Sequence, residues 1–417
     1  MSSLDPRIRR SLIRIILIAL AVRLVALGFL YPPRLAPDRD HYAFGFETGR
    51  IAQAIASGQG FSSPMPLPTG PTAWMAPVYP YVVAAIFKVC GIYSKSSALV
   101  VLALQDFFSA LTCLVIFLIG QESFGFPVGL KAAWIWAFFP YAIYVPNHWV
   151  WETSLTTLLL AFLFLMTLHL ATGVRARDWL IYGSLWGAAA LTSPVVLFVL
   201  PPFLVWLWRR PRAQQLLLGR RMASSVGVLC LVVAPWFVRN YVTFGRVIPF
   251  RSNFGAVLRM GNSEDLSSPR NDALNPSENE VELTDFRRLG ELAYVAEKKQ
   301  QAGEFIRSHP STFAWVSIGR IVETWTGIWP PAPSYLFRSG WPAFKLLNVL
   351  FCLSFSILAL AGLRRSFRIK NPAAWLYLIL LAFFPLIYYV TSSHIRFRHP
   401  IDPQIVLLAA AALTKQK

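Results

Sequence analysis

The sequence predicts an all-α polytopic membrane protein with about 10–12 transmembrane or re-entrant helices. Of its 417 residues, 55% are hydrophobic, and the mean hydropathy is +0.50. A soluble protein could not bury that much apolar surface. Apolar windows also recur along nearly the whole chain. They comprise residues 11–31, 76–93, 96–120, 126–146, 150–171, 179–194, 195–208, 221–240, 341–363, 373–393 and 403–415.

Two neighbouring windows are shorter than the ~20 residues that a spanning helix needs. Windows 179–194 and 195–208 meet at a Thr-Ser-Pro sequence, residues 192–194. We expect half-helices that meet at a break there, which is tolerated where the backbone lines a cavity in the protein. Counting every window between residues 32 and 209 as a span does not give a consistent topology. At least one window in that range is therefore re-entrant or half-length, and the sequence does not say which.

The net charge of +19 comes mainly from basic clusters that flank the apolar windows. This is the pattern of cytoplasmic loops in membrane proteins, so it indicates topology and a lipid bilayer as partner, with no nucleic acid. The clusters are Arg7 to Arg14, Arg175 and Arg177, Arg209 to Arg221, and Arg364 to Lys370. If these lie inside, the first loop (32–75), the long loop (241–339) and residues 394–403 all lie outside.

Three regions follow from this topology. Residues 1–240 form an N-terminal transmembrane module that includes the first loop, and residues 340–417 form the C-terminal transmembrane helices. Residues 241–339 form an extracytoplasmic loop region with short helices, and ten of the twenty acids lie there between Glu264 and Glu304. Helical spacing runs from about Val281 to Arg307, with expected stops near Gly290 and at Pro310.

Acids and arginines gather on the predicted outer side, away from the basic inner loops. A carboxylate can act as a general base, and arginine binds phosphate through two parallel hydrogen bonds. The pattern therefore predicts a phosphate-bearing substrate and a proton to remove. The acids are Asp38, Asp40 and Glu47 in the first loop and Glu152 at a helix start, and the other groups are Arg239, Asn240, Arg396, Arg398 and His399.

Each of these groups also has a structural interpretation. Arg239 and Asn240 could anchor a helix end at the lipid headgroups, and Arg396 and Arg398 could form structural salt bridges. Glu152 could be an acid favoured by the helix dipole. Asp106, inside an apolar window, is a site residue or a partner for another helix.

As an ordered set, these motifs resemble the GT-C superfamily of membrane glycosyltransferases. Within it, the chain is most similar to bacterial relatives of dolichyl-phosphate-mannose–protein mannosyltransferase and to the lipid A aminoarabinose transferase. The resemblance covers nearly the whole chain. It runs through the acidic first loop, Ala52 to Phe61, Pro71 to Gly91, the helix-start Glu152, Ala234 to Gly255, Met260 to Asn262, and Arg396 to Pro403.

The resemblance implies an inverting sugar transfer on the outer face of the membrane, in this case the bacterial inner membrane. The donor would be a polyprenyl-phosphate sugar, typically on undecaprenyl phosphate, and the acceptor a lipid, a glycan or a protein. A first-loop carboxylate would act as base, with Glu152 as second acid. The groups implied to hold the donor phosphate are Arg239, Asn240, Arg396, Arg398 and His399.

The spacing of the first-loop acids departs from the family pattern. Asp40 lies twelve residues before Ala52 and Glu47 lies five before it, and neither matches cleanly. We expect Asp40 to be the base, and Glu47 is the second candidate. Some relatives with paired acids use a divalent metal, but Asp38 and Asp40 alone are a weak metal signal. No metal and no cofactor are assigned.

Two other classes of protein would share part of this pattern. A secondary transporter would also have membrane acids and broken helices, but its charged site would lie near the membrane midplane and not in loops. A polysaccharide polymerase or ligase would share the arginines, but the acidic first loop would have no clear role in it. The sequence does not identify the sugar, the acceptor or the oligomeric state.

Overall fold

The computed structural model describes residues 6–30, 44–172, 175–209, 215–337 and 342–415. Within those ranges the chain is helical and contains no β-strand, only an isolated antiparallel bridge between Ser62 and Pro71. The first ten helices are α1 Pro6–Leu30, α2 Glu47–Ala56, α3 Val78–Cys90, α4 Lys95–Phe124, α5 Phe126–Ala137, α6 Pro140–His148, α7 Thr153–Leu170, α8 Ala176–Thr192, α9 Leu200–Trp208 and α10 Gln215–Phe244. The remaining helices are α11 Phe254–Gly261, α12 Glu280–Leu289, α13 Glu291–Ser308, α14 Pro310–Thr326, α15 Pro342–Arg368, α16 Ala374–Phe383, α17 Leu386–Val390, α18 Ile395–Arg398 and α19 Asp402–Ala412.

The apolar windows of the sequence all coincide with helices, which confirms the predicted fold class. By length and composition, five helices in the described ranges could each cross a membrane; a sixth span is added if α5 and α6, bent by 42°, count as one. Shorter apolar helices occur at Val78–Cys90, Pro194–Trp208 and Ala374–Val390. The windows therefore divide between full-length spans and part-length helices.

Large apolar side chains cover the outside of the long helices. Phe29 is 86% exposed, Leu231 72% and Leu360 68%, on α1, α10 and α15 respectively. Water would penalise such a surface, whereas lipid tails would not. The buried core lies between the helices and includes Trp136, Trp179 and Trp186, which are fully buried.

The expected helix break in the middle of the chain is confirmed. Helix α8 ends at Thr192, Ser193 is extended, and Pro194–Val199 form a 3₁₀ helix before α9 begins. Proline cannot donate the backbone hydrogen bond that would continue α8.

The long polar region contains more helix than its sequence pattern predicts. Helices α12 and α13 meet at Gly290, whose positive φ of 78° permits the sharp change of direction. The expected stop at Pro310 is correct only for the end of α13. Pro310 is also the first residue of α14, a position where proline's fixed φ favours a helix start.

Candidate active site

Of the three first-loop acids, Glu47 lies within the described ranges. Asp38 and Asp40 lie outside the described residues. Glu47 is the first residue of α2, half-buried, and its carboxylate accepts a hydrogen bond of 3.4 Å from Trp74 Nε1. The two residues before it have positive φ, 72° at Gly45 and 42° at Phe46. The chain therefore enters α2 through a tight turn that fixes the position of Glu47.

This turn packs directly against the segment that precedes α7. A Cβ atom at Gly45 would lie 2.6 Å from Trp151 Nε1 and would overlap the carbonyl oxygen of Val150. Glycine is required at this point because the backbone approaches so closely. The packing brings the start of α2, with Glu47, beside the residues that lead into Glu152.

Glu152 is the residue that caps the start of α7, and its side chain is half-buried. Within the described ranges its carboxylate has no hydrogen-bond or ion-pair partner. The turn before it is held by Gln105, whose amide nitrogen donates to the carbonyls of Pro146 (2.7 Å) and Trp149 (2.9 Å). The amide oxygen of Gln105 accepts from Trp151 N at 3.1 Å. The turn thus presents a carboxylate that has no partner among the residues the structure describes.

The short helix α18 also reaches this turn, through Arg396. The Arg396 guanidinium lies 3.2 Å from the centre of the Trp151 ring. The charges of Arg396, Arg251 and Glu152 all act on the Tyr388 hydroxyl, which places these groups in one neighbourhood.

A basic cluster surrounds His394, beside Arg396. Burial lowers the pKa of His394 to about 3, with further contributions from Arg396, Arg270 and His148. His394 is therefore neutral at physiological pH, and the positive charge near it is carried by the arginines. Sequence reasoning missed Arg251, Arg270 and His148, because no pattern in their own segments indicates that the fold brings them to Arg396.

Arg239 and Asn240, by contrast, donate hydrogen bonds to backbone carbonyls of other segments of the chain. Arg239 donates to the carbonyls of Thr72 (2.6 Å) and Phe61 (2.8 Å) and to Asn240 Oδ1 (3.0 Å). Asn240 is fully buried and donates to the Ile248 carbonyl at 3.0 Å. These contacts fasten the 61–72 segment of the first loop to the end of α10.

Glu291 fastens the same segment from the other side. Its buried carboxylate accepts hydrogen bonds from the Thr72 hydroxyl, from Ala73 N at 2.9 Å and from Ser252 Oγ at 2.6 Å. Burial raises the pKa of this carboxyl even though three donors and Arg239 oppose the shift. The first loop and the long polar region therefore form one packed unit at this point.

Arg398 and His399 face the protein interior and not the neighbourhood of Arg396. Both are nearly fully buried, and both contact Asp402: Arg398 Nε at 3.0 Å and His399 Nδ1 at 3.1 Å. The His399 ring also stacks on Trp136. A buried pair of this kind orders the start of α19.

Asp106 has a structural partner. It is fully buried in α4 and accepts a hydrogen bond of 3.0 Å from Asn147 Nδ2 on α6. Among the described residues no group of three or more His, Cys, Asp or Glu side chains could hold a metal ion.

The site therefore consists of Glu47, Glu152 and Arg396, joined through Gly45 and Trp151, with Arg251 and Arg270 nearby. Two carboxylates could remove a proton or bind hydroxyl groups. The arginines could stabilise an anion such as a phosphate.

Comparison with known proteins gives matches at the level of family model and fold. The model of the family described as dolichyl-phosphate-mannose-protein mannosyltransferase matches residues 74–238. No curated protein matches the chain.

Solved structures of an archaeal oligosaccharyltransferase match nearly all of the chain. The apo enzyme from Archaeoglobus fulgidus matches with a TM-score of 0.56 at 16% identity, over 97% of this chain and 50% of that one. Oligosaccharyltransferase AglB from the same organism, in complex with an inhibitory peptide and a dolichol-phosphate, matches with a TM-score of 0.51 at 18% identity, over 95% of this chain and 50% of that one. The chain spans about half the length of these relatives. The chain therefore shares the fold of these oligosaccharyltransferase structures over nearly its whole length.

Proposed function

We propose that this protein is a glycosyltransferase that moves a sugar, with inversion, from a polyprenyl-phosphate donor to an acceptor on the outer face of a bacterial inner membrane. The family model supports this reaction class, and AglB was solved with a dolichol-phosphate, a lipid of the proposed kind. The observation that carries the proposal is the meeting of three separate segments at Trp151. They bring a first-loop acid, a helix-start acid and an arginine together.

In the proposed reaction an acceptor oxygen attacks the anomeric carbon of the donor sugar. The new C–O bond forms as the bond between the anomeric carbon and the phosphate oxygen breaks, and the acceptor proton passes to a first-loop carboxylate. Asp40 is the base favoured by the sequence, and Glu47 is the acid whose position is described. Asp38 belongs to the same loop, and Glu152 is the second acid.

The departing polyprenyl phosphate carries negative charge that must be stabilised as it develops. Arg396 is the central group in our proposal, because its guanidinium lies over the ring of Trp151, the residue next to Glu152. Arg251 and Arg270 add positive charge in the same neighbourhood. Arg239, Asn240, Arg398 and His399, which the sequence also assigned to the phosphate, are bonded to protein groups instead and have a packing role in this proposal.

The test is transfer of label from a defined donor. Detergent-purified protein is mixed with radiolabelled undecaprenyl-phosphate sugars and envelope membranes, and the label is followed to the acceptor. Transfer supports the proposal. An intact donor, with no label moved from any sugar tried, contradicts it.

A further inference from the structure

The long polar region places a turn on the first turn of α2, beside Glu47. This turn, Asn275 to Asn279, is closed by hydrogen bonds from Ser277 N to Asn275 Oδ1 (3.0 Å) and from Glu278 N to the Asn275 carbonyl (2.9 Å). Asn275 is buried, whereas Glu278 reaches solvent. The turn is thus held by its own hydrogen bonds, and it exposes the acidic side chain of Glu278.

Arg50 holds the turn in place. This residue lies one helical turn after Glu47 on α2 and is only 7% exposed. Its Nη1 donates to Ser277 Oγ at 3.2 Å and to the Pro64 carbonyl at 3.3 Å. Ser277 Oγ also lies 3.6 Å from the Met65 sulfur. Because Ser277 is bonded to Arg50, the next residue in the chain, Glu278, lies at the same end of α2 as Glu47.

The electrostatics agree with this placement. Partial burial of its carboxyl and the neighbouring Asp272 raise the pKa of Glu278, and the charge of Glu47 contributes to the rise. Within the described residues the Glu278 side chain makes no hydrogen bond and no ion pair. The oxygens of such a carboxyl group can accept hydrogen bonds from a ligand.

We propose that Glu278 binds the acceptor through a second hydroxyl group, next to the one that loses its proton to the first-loop base. This rests on the proposed function. Two carboxyl groups side by side suit an acceptor with neighbouring hydroxyl groups, which is the chemistry of a sugar ring. A serine or threonine side chain offers only one hydroxyl group. The acceptor in this proposal is therefore a glycan, free or lipid-linked.

The test compares Glu278→Gln with Glu280→Gln in the transfer assay, with the amount of envelope membrane varied. Glu280 is exposed at the start of α12 and serves as the matched control. Loss of a hydrogen bond to a charged group is expected to raise the apparent KM for the membranes about tenfold or more in Glu278→Gln. Glu280→Gln should not change it, and Glu278→Asp should recover part of the loss.

Binding of undecaprenyl phosphate separates an acceptor-binding role of Glu278 from a structural role. If Glu278 only held the structure together, its loss would weaken binding of this lipid as well. Its Kd should stay within about twofold in Glu278→Gln, because the phosphate contacts lie around Arg396. The labelled product should survive proteinase K digestion.

Three results would overturn the proposal. The first is an unchanged membrane KM in Glu278→Gln, and the second is an equal rise in Glu280→Gln. The third is label that moves to small peptides on digestion. If the unaltered protein transfers no label at all, the proposed function itself fails, and this inference fails with it.

Discussion

Arg396 lies over the Trp151 ring, with its guanidinium 3.2 Å from the ring centre. A cation–π contact of this kind is worth about 2 kcal/mol when it is shielded from water. It ties α18 to the turn that ends in Glu152. The same tryptophan is packed against Gly45, near the start of α2. Trp151 is therefore the meeting point of three segments that are far apart in the sequence.

Arg396→Ala is expected to weaken binding of undecaprenyl phosphate about tenfold or more, because it removes a charged donor from the proposed phosphate site. Arg396→Lys should recover little, since lysine has neither the planar group for stacking nor the paired donors. Isothermal titration with undecaprenyl phosphate measures both. Arg288→Ala is the control, because Arg288 is exposed and its side chain is bonded to Asp285 on the same helix. An unchanged Kd in Arg396→Ala would remove Arg396 from the site.

Gly45→Ala is expected to impair transfer strongly, because the added Cβ would collide with Trp151 and Val150 and displace the start of α2. Gly58→Ala is a closely matched control. Gly58 also has positive φ, at 80°, but a Cβ there meets nothing within 4 Å. Both variants carry the backbone strain of about 1–2 kcal/mol. Equal transfer rates in the two variants would show that the contact between Gly45 and Trp151 does not matter for activity.

Arg398→Ala is expected to destabilise the protein by about 3–5 kcal/mol, because the buried Asp402 carboxylate loses its arginine partner and keeps only the contact with His399. Arg398 also donates to the Thr324 carbonyl and to Ser356 Oγ, both at 3.3 Å. The midpoint of thermal unfolding in detergent measures the loss. A stable variant with weakened binding of undecaprenyl phosphate would instead return Arg398 to the phosphate role assigned from the sequence.

Glu323 is expected to make stability depend on pH. Burial raises the pKa of Glu323 to about 7, against the opposing effects of Ser393, Arg320 and Lys345. The folded state therefore favours the neutral form. Stability is greatest below pH 4.5, falls as the pH rises towards 7, and stays lower above it.

The cost of charging Glu323 is on the order of 3 kcal/mol. Thermal midpoints measured from pH 4.5 to 8 should fall in the unaltered protein and fall less in Glu323→Gln. Glu304→Gln, at an exposed position on α13, should keep the original slope. The same slope in Glu323→Gln would assign the pH dependence to other groups.

Helix positions could be predicted from the sequence because apolar windows and proline breaks are local signals. The break at Ser193 and the boundary at Gly290 follow from nearby residues alone. The roles of the arginines could not be predicted in this way. Arg396 and Arg398 are two residues apart, yet one lies on Trp151 and the other is bonded to Asp402. Which side each faces depends on the helices packed around α18.

The chemistry of the site stays a prediction from the sequence, whereas which residues meet there becomes visible only in the fold. Acids and arginines on one side of the membrane indicate a phosphate-bearing substrate, whichever residues carry it. Arg239 has the same charge as Arg396, yet it lies elsewhere in the fold and donates to the Thr72 and Phe61 carbonyls of the first loop. Arg251 and Glu278 reach the site only through long-range packing, for which their own segments give no signal.

The most direct test of the account is label transfer from undecaprenyl-phosphate sugars to envelope membranes by the unaltered protein, Asp40→Asn, Glu47→Gln and Glu152→Gln. The unaltered protein is expected to transfer label to the membranes. We also expect that Asp40→Asn or Glu47→Gln abolishes transfer while binding of undecaprenyl phosphate is kept, because the lost step is proton removal. Full activity in both of these variants would contradict the assignment of the base to the first loop.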